Sequence, residues 1–259
     1  MNSCRLVTAA IALAVALAGP GAHANLRAPR AEVTMPSSAI QPADPALHLR
    51  VLHEDLTFHC RDRLCGVTAT YTIDADAAAE TELAFVLPVD RPVVATIGHI
   101  TVGATVSRLD ALPSDFAAHL DLRHEYVTPD ASPLPPLYQA AVHATFVPGR
   151  NRVSFSYEQP LGAHEGAYSY FSSGPMIPRL IYVLWPLREW KREPGFTIAL
   201  RIEMDREPPG WWKRTFGHPL DVSCDGFNGQ TAQVGARLVY TTTLPDTFPD
   251  YLSCPVGEP

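Results

Sequence analysis

Beyond its first 24 residues, the sequence lacks any apolar run long enough to span a bilayer, which takes about 20 residues. It also lacks an excess of positive charge, because 27 acidic residues stand against 20 basic ones and the formal net charge is −7. A mildly acidic chain without a basic cluster is poorly suited to nucleic acid or anionic lipid. The sequence therefore predicts neither a membrane-spanning helix nor a nucleic-acid partner.

Motifs that carry catalysis or bind cofactors are missing as well. The chain has no GxSxG nucleophile turn, no glycine-rich phosphate loop and no HExxH pair. His119 and His124 are close in sequence, but at five residues apart they diverge by about 140° on a helix and do not share a face. Asp74, Asp76 and Glu80 offer calcium-type oxygen ligands, although their spacing does not match an EF-hand loop. We therefore assign no catalytic residue, no metal ligand and no cofactor.

The sequence does contain a segment typical of a secretory signal peptide, residues 1–24. Arg5 precedes the apolar run Leu6–Leu17, and Ala22-His-Ala24 places small residues at the −3 and −1 positions of a cleavage site. This pattern predicts export to the periplasm or to the outside of the cell, with Asn25 as the first mature residue.

Four of the five cysteines follow this segment, and an even number of cysteines in an exported chain indicates disulfides. Three pairings are open, and proximity in sequence favours two of the possible bridges. Cys60 and Cys65 flank a short turn between two segments that alternate apolar and polar residues, so they can lie opposite each other in a hairpin. The favoured pairs are Cys60 with Cys65 and Cys224 with Cys254.

A metal or redox centre is the alternative for this hairpin, because His53 and His59 lie beside Cys60. Along an extended strand the two histidines are roughly 20 Å apart, since each residue adds about 3.3 Å. Zinc requires its ligands within about 2.3 Å of the ion. The spacing therefore favours a disulfide that fixes the register of the hairpin.

Most of the remaining chain alternates apolar and polar residues with a period of two, as strands with one buried face do. The clearest stripes are Phe196–Met204, Val67–Ile73 and Leu83–Leu87. Val142–Tyr157 is interpreted as a hairpin that turns at Pro148-Gly-Arg-Asn151. The pattern predicts an all-β chain, an antiparallel β-sandwich of the immunoglobulin-like or a related type, in one unit or two packed β regions and with little helix.

The same patterns suggest a division of the chain. The segment after the signal is rich in Pro, Ala and Ser, and we expect it to be extended and poorly ordered for most of its length. The predicted parts are a signal peptide (1–24), an extended lead (25–46), a β-sandwich (47–160) with an insertion (107–140), a second β region (161–254) and a tail (255–259).

Three segments together resemble a known group of proteins: Cys60 to Cys65-Gly-Val-Thr-Ala-Thr-Tyr71, Leu83-Ala-Phe-Val-Leu-Pro88, and Phe146-Val-Pro-Gly-Arg-Asn-Arg-Val-Ser-Phe-Ser-Tyr157. They are similar to exported bacterial β-sandwich proteins of uncharacterised function, and more distantly to the vault-protein and inter-alpha-trypsin type of domain. The resemblance covers roughly residues 48–204. It implies a β-sandwich and transfers no catalytic residue.

For function, the leading hypothesis is a non-catalytic binding or accessory protein of the cell envelope, with an envelope protein or a glycan as its partner. One alternative is a secreted hydrolase whose site is built from the loops 107–140 and 161–178, with His119, His124, Glu125 and Ser172 as candidates. Another is a carbohydrate-binding module that uses the adjacent indoles of Trp211 and Trp212, since exposed aromatic pairs can stack on sugars.

Overall fold

The computed structural model describes residues 35–42, 48–110, 135–165, 176–205 and 221–257. These residues form seventeen strands and one short 3-10 helix, Trp185–Arg188, and no α-helix occurs among them. The predicted all-β class is confirmed. The strands are β1 Pro36–Ser38, β2 Gln41–Pro42, β3 Leu49–Arg61, β4 Leu64–Ala75, β5 Ala79–Leu87, β6 Val94–Ile97, β7 Ile100–Gly103, β8 Thr105–Arg108, β9 Tyr138–Phe146, β10 Gly149–Pro160, β11 Gly162–Glu165, β12 Met176–Val183, β13 Lys191–Asp205, β14 Asp221–Val222, β15 Gln230–Val234, β16 Arg237–Leu244 and β17 Tyr251–Gly257.

The strands are hydrogen-bonded into three sheets. An eight-stranded sheet has the order β15-β16-β13-β3-β4-β10-β6-β7, and a four-stranded sheet has the order β2-β5-β9-β8. A five-stranded sheet runs β1-β12-β17-β14, with β11 attached to β12. Neighbours are antiparallel except for β3 beside β13 and β1 beside β12, which are parallel. One hydrophobic cluster contains buried residues of all three sheets.

The alternating stripes predicted from the sequence bury the expected faces. On β13, Phe196, Ile198 and Leu200 are almost fully buried, whereas Arg201 between two core residues is exposed. Each such apolar side chain contributes about 1.5–3 kcal/mol when it is removed from water. The opposite face of the same strands is consequently left for polar side chains, and this polar face of the eight-stranded sheet carries the groove described below.

The predicted hairpin across Val142–Tyr157 is wrong. Strand β9 pairs with β5 and β8 in the four-stranded sheet, whereas β10 pairs with β4 and β6 in the eight-stranded sheet. Between them the chain crosses from one sheet to the other, and Gly149 at the start of β10 has φ of +92°. Phe85 of one sheet packs on Phe155 of the other, with ring centroids 5.0 Å apart. The apolar residues of the two sheets therefore face one core from opposite sides.

Residues 35–42 belong to the lead (25–46) that the sequence predicts to be extended and poorly ordered for most of its length. They form β1 and β2, which pair with β12 and β5 at the edges of two different sheets. Ala39 and Ile40 between the two strands are buried, at 0% and 1% exposure. This N-terminal segment, as we call residues 35–42, therefore connects the five-stranded sheet to the four-stranded sheet.

Candidate functional site

The four cysteines form the two predicted bridges. Cys60 and Cys65 are direct register partners on β3 and β4, with a sulfur–sulfur distance of 2.06 Å. Cys224 and Cys254 are bonded at 2.04 Å and attach the segment after β14 to β17. All four side chains are buried. The pairing favoured by sequence proximity is confirmed, and these sulfurs stabilise the fold instead of forming a metal or redox centre.

The remaining candidate site residues of the sequence analysis lie outside the described residues. These are His119, His124 and Glu125 of the predicted insertion, Ser172, and the indole pair Trp211 and Trp212. The loop-built hydrolase site and the carbohydrate-binding indoles therefore stay predictions.

The histidines of β3 lie on the outer face of the eight-stranded sheet and bind separate partners. His53 contacts Thr197 through Nδ1 at 3.0 Å and Asp55 through Nε2 at 3.1 Å. His59 contacts Asp205 through Nε2 at 3.1 Å. Among the described residues, no three His, Cys, Asp or Glu side chains are grouped as metal ligands.

The acidic cluster considered for calcium is occupied by a cation of the protein itself. Arg50 donates to a carboxylate oxygen of Asp74 at 2.7 Å and lies 3.4 Å from one of Asp76. A guanidinium group neutralises these carboxylates and uses their lone pairs. The two aspartates are therefore positioned to hold the arginine of the neighbouring strand.

A groove of about 590 Å³ runs over the eight-stranded sheet where β3, β13 and β16 lie side by side. The register aligns Thr57 with Arg201 and Arg201 with Thr241, so their outward side chains form one row across three strands. Asp55, Ala199 and Thr243 form the next row. The groove is lined by Asp55, Thr57, Ala199, Leu200, Arg201, Asn228, Gln230, Thr241, Thr242 and Thr243.

Most polar groups of the groove have no partner within the described part of the chain. The side chains of Thr57, Thr241 and Thr243 make no hydrogen bond there, and neither does the amide group of Gln230. Within the same described part, Arg201 donates only through Nε, to Glu203 at 2.6 Å, and its two terminal nitrogens have no partner there. Such groups can donate to and accept from a ligand without first breaking a bond inside the protein.

Strand pairing ends at the groove. β15 accompanies β16 only as far as Thr241, the partner of Gln230. Beyond that point Thr242 and Thr243 pair with β13 alone among the described strands. Among the described strands, the groove is therefore bounded on one side by a stretch of β16 edge, where backbone groups add to the side-chain donors and acceptors.

A cluster of polar contacts lies at one end of the same face, around the carboxylates of Glu203 and Asp205. The hydrogen bond from Arg201 holds the pKa of Glu203 below its usual value. The hydrogen bond from His59 has the same effect on the pKa of Asp205. Arg237 joins the two, donating to Glu203 at 3.0 Å and to Asp205 at 3.1 Å. Both carboxylates therefore stay ionised and paired with protein cations.

A second polar cluster lies inside the core around Glu54, which is fully buried on β3. The hydroxyl of Tyr182 donates to its Oε1 at 3.1 Å and lies 3.0 Å from the hydroxyl of Tyr71. The other carboxyl oxygen has no hydrogen-bond partner in the described structure. Burial is the main cause that raises the pKa of Glu54 to about 7, and the two phenols partly oppose it.

Sequence reasoning missed both the Glu54 cluster and the groove, and only the Glu54 cluster leaves a local signal in the sequence. Leu56 and Phe58 mark the buried face of β3, so a period of two puts Glu54 on that face as well. The groove leaves no such signal, because its rows combine residues of β3, β13 and β16 that are far apart in the chain.

No protein-family model matches the sequence, and no significant match occurs among curated proteins. Among solved structures, a proposed nutrient binding protein from Legionella pneumophila is similar with a TM-score of 0.54 and 11% identity, over 87% of this chain and 72% of that one. An M1 zinc metallopeptidase from Deinococcus radiodurans aligns at a TM-score of 0.38 and 12% identity, over 80% of this chain. This chain spans only 42% of that peptidase. The first likeness shows a shared fold alone, and the second supports no argument.

Proposed function

We propose that this chain is an exported, non-catalytic binding protein of the cell envelope, and that its groove holds a small polar solute. The observation that supports this most strongly is the set of groove groups without partners among the described residues: the hydroxyls of Thr57, Thr241 and Thr243, the amide of Gln230 and the terminal nitrogens of Arg201. Its volume of about 590 Å³ falls within the range of about 300–1,000 Å³ that small-molecule sites occupy.

The charges of the groove suggest a zwitterionic ligand such as an amino acid or a short peptide. Asp55 lies on β3 diagonally across from Arg201 on β13, so an anionic and a cationic side chain line the same groove. A carboxylate of the ligand pairs with the terminal nitrogens of Arg201, since guanidinium groups bind carboxylates by two parallel bonds. An ammonium group pairs with Asp55, and the threonine hydroxyls bind the part between.

The rigid surroundings of the groove suit recognition. Its side chains stand on three paired strands, and strands hold binding groups more precisely than loops do. A nutrient-binding role proposed for the Legionella protein is compatible with this ligand class, although only the fold is shared.

Titration calorimetry with glycine, glycylglycine and glucose tests the proposal. We expect saturable binding of glycylglycine or glycine and about tenfold weaker binding by Arg201→Gln, because a hydrogen bond to a charged group contributes about 1.5 kcal/mol. Thr72→Val is the matched control, since Thr72 lies on the outer face of β4 and does not line the groove. Unchanged affinity in Arg201→Gln, or glucose as the preferred ligand, would contradict it.

Export is tested separately from ligand binding. We expect the protein expressed in a bacterial host to appear in the periplasmic or extracellular fraction with Asn25 as its first residue, which N-terminal mass spectrometry detects. Retention of residues 1–24 on a cytoplasmic product would contradict the envelope location and leave the groove proposal to its own test.

Among the described residues, no helix combines the length and apolarity that crossing a membrane requires.

A further inference from the structure

The N-terminal segment, residues 35–42, is held in the core by bonds from several directions. The amide of Ala39 donates to the carbonyl of Val183 at 2.8 Å. The indole N–H of Trp190 donates to the carbonyl of Ile40 at 3.0 Å. On its other side, the amide of Ile40 donates to the hydroxyl of Tyr71 at 3.4 Å.

Serine hydroxyls complete this attachment. Tyr157 donates to Ser37 Oγ at 3.0 Å, and Ser37 donates to Oε1 of Gln159 at 2.6 Å. The amide of Val86 donates to Ser38 Oγ at 2.9 Å. The segment contains no charged residue. Its docking depends on burial and on these hydrogen bonds, together with one exposed bond from the amide of Gln41 to the carboxylate of Glu189 at 3.1 Å.

The buried carboxyl of Glu54 is connected to this segment by a chain of three hydrogen bonds. Tyr182 bonds to Glu54, Tyr71 bonds to Tyr182, and Tyr71 also accepts from Ile40 of the segment. One oxygen of the carboxyl lacks a hydrogen-bond partner in the described structure. An ionised carboxylate in this position loses the hydration it has in water, a cost that water reaching the site would remove.

We propose that Glu54 and the N-terminal segment form a proton-linked latch, in which the segment stays docked while the carboxyl is neutral and detaches when it ionises. The segment reaches the Glu54 network through the hydrogen bond from Ile40 to Tyr71, and its two strands pair with β12 and β5 at the edges of their sheets. Detachment admits water to the carboxylate and leaves β12 and β5 without β1 and β2. The exposed edges are then available to another strand.

The titratable groups that face Glu54 do not supply an opposite charge. They are the phenols of Tyr71 on β4, Tyr182 on β12 and Tyr157 on β10, and the carboxylate of Asp55 on β3 itself. The pKa of each phenol is raised above its ordinary value, chiefly by burial, so all three stay neutral below pH 10. Glu54 is therefore the only one of these core groups that changes charge near neutral pH.

The direction of the pH effect follows from linkage. Burial raises the pKa of Glu54 from 4.5 to about 7 in the docked state, and solvent contact returns it toward 4.5. The docked state then binds more protons than the open state, so the equilibrium constant for opening rises with pH by at most tenfold per unit. The rise begins near pH 4.5, reaches about 300-fold in total and levels off above pH 7.

Native-state hydrogen exchange at the Ala39 amide tests the latch. After correction for the intrinsic exchange rate, we expect its protection factor to fall at least tenfold between pH 5 and pH 8, with little dependence on added denaturant because only the segment opens. In Glu54→Gln the protection factor is expected to stay constant. If the unpartnered amide donors of Gln unfold the protein, Glu54→Met removes the charge at similar volume.

Two results would overturn the proposal. One is a protection factor at Ala39 that does not change with pH in the unmodified protein. The other is a denaturant dependence at Ala39 equal to that of the most protected amides of β3, which means that the segment is released only by global unfolding. The latch does not depend on the ligand proposed for the groove, so failure of either proposal leaves the other standing.

Discussion

The global stability of this protein is predicted to fall as the pH rises from 5 to 8, because of Glu54. Its pKa is raised from 4.5 to about 7 in the folded state, so the folded protein keeps a proton that the unfolded chain has lost. The contribution of Glu54 to stability is therefore greatest below about pH 4.5 and declines until the pH passes 7. Between pH 5 and pH 8 a single group of this kind lowers the free energy of unfolding by about 2–3 kcal/mol.

Urea denaturation followed by circular dichroism at several pH values measures this decline. Glu54→Gln removes the titration, so its free energy of unfolding is expected to stay level over the same interval. The lowered pKa values of Glu203 and Asp205 act in the opposite direction, since that stability is lost as the pH falls, below about pH 4. Both residues are only partly shielded from solvent, so their contribution is small. If the free energy of unfolding declines equally in the unmodified protein and in Glu54→Gln, the pH dependence does not come from Glu54.

Two further predictions concern the scaffold around the groove. Replacing both cysteines of the Cys224–Cys254 bridge by serine should cost about 3.5 kcal/mol, against about 2 kcal/mol for the Cys60–Cys65 bridge, because the loops span 30 and 5 residues. Equal losses in urea denaturation would contradict this ranking. Gly229→Ala should destabilise by about 1–3 kcal/mol, since the new methyl group overlaps the ring of Tyr240. Gly103→Ala meets no atom within 4 Å and is the matched control, so a similar loss in both variants would contradict this reason.

The parts of the fold that the sequence predicts are those with local causes. Cys60 and Cys65 close a hairpin of consecutive strands, so their opposition follows from one short turn. The buried face of β13 follows from alternation along a single strand. The crossing at Gly149 could not be predicted in this way, because a hairpin and a crossing between two sheets share the same alternation and the same turn residues.

Structure that depends on distant partners left no readable pattern. The N-terminal segment has few apolar residues, and its burial is possible because Tyr157, Trp190 and Val86 supply hydrogen bonds from three other parts of the chain. The groove likewise exists only after the parallel pairing of β3 with β13, which brings Thr57 beside Arg201. Each residue alone has the appearance of an ordinary outward-facing strand position.

The most direct test of the binding role is a titration of the ¹⁵N-labelled protein with glycylglycine, followed by NMR. The account predicts saturable shifts at the amides of Thr57, Arg201 and Thr241, and no comparable change at Thr72 on the same face. Saturable shifts centred elsewhere in the chain would contradict it. So would the absence of any shift up to about 10 mM glycylglycine, a concentration at which even millimolar binding is detected.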